Sequence, residues 1–156
     1  MKNKKGFTLV ELLGVIAVLG VIMSIAFFSV SSVREKSLEN ILKTKLQQIE
    51  QAAVLYGQDN PSELNESCDV DGVHYNNYCK VITVRELIAA DGGSYFESGS
   101  LVEDENGKYV NLINDVTNVS MLDDTVQIYR KNNRVYSVLL DIKSCEAGGG
   151  ICEEYA

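Results

Sequence analysis

One carboxylate sits where carboxylates are costly. Between Phe7 and Val33 the sole ionisable side chain is Glu11, and Leu12 to Val33 is an unbroken run of 22 uncharged residues. Inside a spanning helix such an acid costs on the order of 2.5 to 3.5 kcal/mol on insertion scales, so it marks a paired or functional group. The other residue types able to do chemistry are four cysteines, Cys68, Cys79, Cys145 and Cys152, and one histidine, His74. Gaps of ten and six residues between successive cysteines do not fit the C-x2–4-C spacing of structural zinc. The acidic runs around Asp69, Asp71 and Asn76 and around Asp104, Glu105 and Asn106 do not fit a calcium loop either. No metal site and no cofactor are expected. The chain has no glycine-rich phosphate loop, no H-E-x-x-H and no G-x-S-x-G, and a lone histidine in a polar stretch makes no nucleophile and base pair. The expectation is a protein that is not an enzyme.

The elements that must position Glu11 begin with charge. Lys2, Lys4 and Lys5 precede the apolar run, which at about 1.5 Å per residue would rise roughly 33 Å, enough to cross a bilayer core. The positive-inside rule keeps those lysines cytoplasmic and sends everything after Arg34 across, an N-in, C-out topology. A secretory signal has a shorter apolar region and a small-residue cleavage site, and an acid near its start would be out of place. A plain single-pass anchor fits the length and leaves Glu11 without a role.

The whole chain of 156 residues bounds the remainder to one compact domain with an appended segment, and 46% hydrophobic with 23% charged residues excludes disorder and multi-span classes. A formal charge of -8 argues against nucleic acid as a partner. Arg130, Lys131 and Arg134 form the one compact basic cluster, read as a solvated hairpin tip or as a local DNA or surface contact.

The residues Gly6-Phe7-Thr8-Leu9-Val10-Glu11-Leu12-Leu13, after a lysine-rich stub and before an uninterrupted apolar run, resemble the class III signal of type IV prepilins and pseudopilins. That resemblance covers roughly the first 35 residues. It implies a leader peptide over 1–6, cleavage by prepilin peptidase between Gly6 and Phe7, and N-methylation of the new Phe7 amine. It implies a transmembrane and filament-core helix over 7–33 and a globular head over 34–156. By the same resemblance the partners are further copies of the chain in a helical filament, the peptidase, an assembly platform, and the cytoplasmic membrane before assembly into an extracellular pilus. Physical chemistry adds a mechanism. In a staggered stack of parallel helices, Glu11 of one copy meets the Phe7 ammonium of the next, exchanging two costly charges for one charge-assisted pair. Relatives with a mid-helix proline can melt there; this chain has only Pro61, with Gly14 and Gly20 in the apolar run. The expected function is a structural subunit of a type IV pilus. The alternatives are a pseudopilin of type II secretion or competence DNA uptake, and a membrane-anchored binding domain that never polymerises.

Beyond Val33, Leu38, Leu42, Leu46, Ile49, Ala53 and Tyr56 recur at helical spacing, so one helix is expected from Phe7 to Asp59, about 80 Å long, stopped before Pro61. Residues 61 to 81 read as a polar loop. Thr83 and Glu86 form a capping box ahead of a short helix over 84–91, ended by Gly92-Gly93. Tyr109 to Ile113, Val116 to Met121, Thr125 to Arg130 and Arg134 to Ile142 alternate as strands, the last two joined at Asn132-Asn133. The expected fold is α+β and pilin-like: a long N-terminal helix packed on a small antiparallel β-sheet, with disulfide-closed loops. Local spacing on the exported side favours Cys68 with Cys79 and Cys145 with Cys152, with three connectivities open. Pilins that close a C-terminal loop with a disulfide resemble the segment from Cys145 to Cys152.

Overall fold

The computed structural model describes residues 8–90, 92–96, 101–105 and 109–145, and at 26–32 and 35 the helical backbone alone. The long helix α1 runs Leu9–Asp59 without a break, and the chain divides into two compact units, Met1–Ser37 and Leu38–Ala156.

The first unit holds the apolar part of α1. Its side chains from Leu9 to Ile25 are exposed all round, with Leu9 at 75% and Leu19, the most covered of the large ones, at 46%. Ser24 satisfies its hydroxyl on the Gly20 carbonyl at 2.9 Å. Among the described residues no helix is long and apolar enough to cross a membrane. The described apolar side chains from Leu9 to Ile25 rise only about 25 Å, short of an approximately 30 Å hydrocarbon core. The expected span over 7–33 depends on the side chains of Phe7 and 26–32, which lie outside the described residues.

In the second unit the amphipathic stripe of α1 builds the core. Leu42, Leu46, Ile49, Ala52, Ala53 and Tyr56 are buried together with Ile82, Val126 and Ile128 of the sheet. Each buried aliphatic side chain contributes about 1.5 to 3 kcal/mol. Gly57 lets the helix end approach closely: a Cβ there would lie 2.6 Å from Ile128 Cγ2 and 2.8 Å from Val135 Cγ1. Asn60 and Pro61 then stop α1, and a 3-10 turn follows at Pro61–Glu63.

The sheet is a four-stranded antiparallel meander, β1 (Glu66–Val70), β2 (Val73–Thr83), β3 (Thr125–Lys131) and β4 (Arg134–Asp141), in that order. The first two strands occupy the segment expected to be a loop. What overrides its polar composition is the turn at Asp71-Gly72, whose φ values of 51° and 75° fit a two-residue hairpin turn. Cys68 and Cys79 then join the hairpin by a disulfide with Cα atoms 5.9 Å apart. At the other hairpin Asn132 and Asn133 take φ of 51° and 63°, and β3 and β4 pair as expected. Thr83 ends β2 and caps α2 (Val84–Ala89): its hydroxyl accepts from Glu86 N at 3.2 Å while its own N–H donates to the Glu86 carboxylate at 2.9 Å.

The strands expected over 109–113 and 116–121 do not form among the described residues; only isolated bridges Glu103 to Tyr109 and Ile113 to Ser120 remain. Buried Asn114 diverts the chain. Its Oδ1 accepts the N–H of Val116 at 2.9 Å and of Thr117 at 3.3 Å, folding the backbone into a turn that a ladder would have used for pairing. Its Nδ2 donates to the Ser144 carbonyl at 3.0 Å. Ser144 lies in the 3-10 turn Lys143–Cys145, and its N–H and hydroxyl donate to buried Asp124 at 2.8 and 2.7 Å. Burial pushes the Asp124 carboxyl up to about 6 against those two hydrogen bonds, which pull it down.

Candidate functional site

The start of α1 is built around Thr8 and Glu11. Thr8 N–H donates to Glu11 Oε2 at 2.9 Å, the Thr8 hydroxyl donates to the same oxygen at 2.7 Å, and Glu11 N–H returns a 3.3 Å bond to Thr8 Oγ1. This is a reciprocal capping box, with Thr8 as cap and Glu11 three residues on, and it satisfies two of the orphan donors of a helix start. The T-x-x-E spacing was legible in the chain, but the apolar surroundings drew attention to the charge of Glu11 and away from its local partner.

Glu11 also borders a surface groove of about 420 Å³ along one side of the helix, shared with Gly14, Val15, Val18 and Leu19. Gly14 has no atom within 4 Å of where a Cβ would stand, so the helix is bare beside the carboxylate. A hydrogen-bonded acid, a gap left by glycine and aliphatic flanks give this face the means to receive a second apolar helix carrying a cation. Gly6 and Phe7, the expected cleavage and methylation residues, lie outside the described residues.

The other singled-out residues fall elsewhere. His74 is exposed on β2 with its ring nitrogens 2.9 Å from Asp69 Oδ1 and from Asn76 Oδ1, and the Asp69 hydrogen bond raises its pKa. No group of three or more His, Cys, Asp or Glu among the described residues could hold a metal ion. Cys68 and Cys79 are spent in their disulfide; Cys145 is disulfide-bonded as well, and Cys152 lies outside the described residues. A polar knot that sequence reading missed ties the end of α1 to the sheet. Tyr56 donates to Glu63 Oε2, and Lys80 Nζ reaches that same oxygen and, at 2.7 Å, the Tyr56 hydroxyl. Lys80 first and Tyr56 second hold the Glu63 carboxyl low. Spacings of seven and seventeen residues leave no local pattern by which to find it.

Compared with known proteins, residues 1–27 match the family model of the prokaryotic N-terminal methylation motif. No curated protein and no solved structure matches the chain. A methylation motif over residues 1–27, which take in Glu11 and the start of α1, supports a type IV pilin-like or pseudopilin family for the chain.

Proposed function

We propose that the chain is a structural subunit of a type IV pilus with a pilin-like head, cut by prepilin peptidase after Gly6 and methylated on Phe7. It polymerises through the apolar part of α1. Before assembly the precursor sits in the cytoplasmic membrane, N-in and C-out, with the helix over 7–33 crossing it; afterwards it is part of an extracellular fibre. The observation that carries this reading is a carboxylate within a methylation motif, on the part of α1 whose apolar side chains from Leu9 to Ile25 are exposed. Exposed aliphatic surface of that extent needs lipid or other helices to cover it.

The capping box refines the mechanism. In a lone chain Glu11 is not bare, because Thr8 supplies two hydrogen bonds to one of its oxygens. Assembly is then an exchange of partners, in which the neighbour's Phe7 ammonium adds the full charge that the Thr8 dipoles lack. Glu11→Val tests this. A filament subunit with this change should be processed normally and accumulate unassembled in the membrane, whereas fibre yields equal to the parent would refute the pairing. N-terminal sequencing of sheared surface fibres should begin at Phe7. Long surface fibres containing the chain are the outcome expected of a pilus; short stubs confined to the cell envelope would assign it instead to a secretion or competence apparatus.

A further inference from the structure

We infer that the open cleft between the end of α1 and the β3–β4 hairpin binds carboxylate groups of an acidic polysaccharide. The cleft, about 670 Å³, is lined by Arg130, Arg134, Asn133, Gln58 and Tyr136 among others, and no carboxylate contributes to its walls. In a chain with 22 acids and 14 basic side chains this is a local reversal of sign. Arg85, Lys45 and Lys80 are each engaged by a carboxylate, at Asp123, Asp115 and Glu63. Arg130, Lys131 and Arg134 take part in none of the ion pairs among the described residues. Lys131 even stands directly opposite Arg134 in the ladder, an arrangement of like charges that disfavours the hairpin unless an anion relieves it.

The donors specify the ligand class. Two guanidinium forks suit carboxylates bidentately, and the amides of Asn133 and Gln58 can donate to and accept from hydroxyls. Charge density decides between polyanions. Duplex DNA carries about one charge per 1.7 Å and must be met by many cations, which the three basic residues here do not supply against a net charge of -8. A uronic acid polymer spaces its carboxylates by whole sugar rings, so two forks can engage it with less repulsion from the rest of the surface.

The test is calorimetric titration of the full-length chain in neutral detergent micelles with hexagalacturonate, a neutral galactose hexamer and a 12-nucleotide single strand. The charged hexamer should bind saturably at low salt and the neutral one should not. Arg130→Gln with Arg134→Gln should weaken binding by about tenfold or more at an unchanged melting temperature, and Arg130→Lys with Arg134→Lys should restore only part of it. The inference is overturned if the charged hexamer does not bind, if the double Gln variant binds it equally, or if the oligonucleotide binds as tightly. It is also overturned if the Gln variant loses self-association while keeping hexamer affinity, which would give the cleft to a second copy of the chain.

Discussion

Asp124 offers a quantitative test of how this head is held together. Its side chain is fully buried between the start of β3 and the turn that carries Ser144. Burial, seconded by the nearby charges of Asp141 and Asp123, outweighs the two Ser144 hydrogen bonds, so the carboxyl titrates at about 6 rather than 3.8. The sign follows directly. Between those two values the folded state holds a proton that the unfolded chain releases, so stability rises as pH falls through 6 and the gain is complete below 3.8. The full difference is about 3 kcal/mol, of which about 2 kcal/mol should appear between pH 7 and pH 4.5. Asp124→Asn removes the titration and keeps the shape. Its Oδ1 still accepts the Ser144 N–H, and its Nδ2 can donate to the Ser144 hydroxyl. At neutral pH the variant should be as stable as the parent or more so, because the buried charge is gone. The assay is urea unfolding of the oxidised full-length chain, parent and variant side by side, at pH 7.5, 6, 5 and 4.5. Exposed acids held low by hydrogen bonds, Glu63 and Glu86, contribute an opposite slope shared by both proteins. Only the difference between the two curves therefore reports Asp124. Parallel curves across that range, or a variant markedly weaker at pH 7.5, would refute the argument that desolvation dominates this site.

Gly57→Ala should destabilise the head by about 1 to 2 kcal/mol: the added methyl gains about 1 kcal/mol of helix propensity and overpacks branched Ile128 and Val135 by more, a loss to be read as a lower urea midpoint. Replacing Cys68 and Cys79 together by Ser should cost about 2 to 3 kcal/mol by freeing the unfolded chain over an eleven-residue separation. Reductant should lower the parent's thermal midpoint by more than that variant's, in which the disulfide of Cys145 remains to be reduced.

Long-period patterns were legible in the chain and side-chain diversions were not. The α1 stripe from Leu38 to Tyr56 repeats over about five turns; Leu38 at its start is half-buried and every later member is buried as its spacing demands. Thr83 with Glu86 and Asn132-Asn133 each encode a local geometry within four residues, so the cap and the second hairpin could be read directly. The first hairpin was obscured because β1 and most of β2 are exposed and polar, leaving no alternating apolar signal; Asp71-Gly72 was the one cue. The strands expected after Tyr109 failed for the opposite reason. Their alternation was present, but Asn114 spends its amide on the backbone and on Ser144, thirty residues away, which no local pattern announces. At the candidate site the charge anomaly of Glu11 was plain, whereas its hydrogen bonding to Thr8 depended on which neighbour the carboxylate chose.

The junction of Tyr56, Glu63 and Lys80 has a mechanical consequence. If the chain is the fibre subunit proposed above, tension along the fibre would pull on it along its helix. Here the last turns of α1 are fastened to β2, a strand flanked on both sides, instead of to the outermost strand of the sheet. Load entering from the helix would thereby be spread over two ladders at once, and the crosslink between Cys68 and Cys79 would keep the outer strand from peeling away under it.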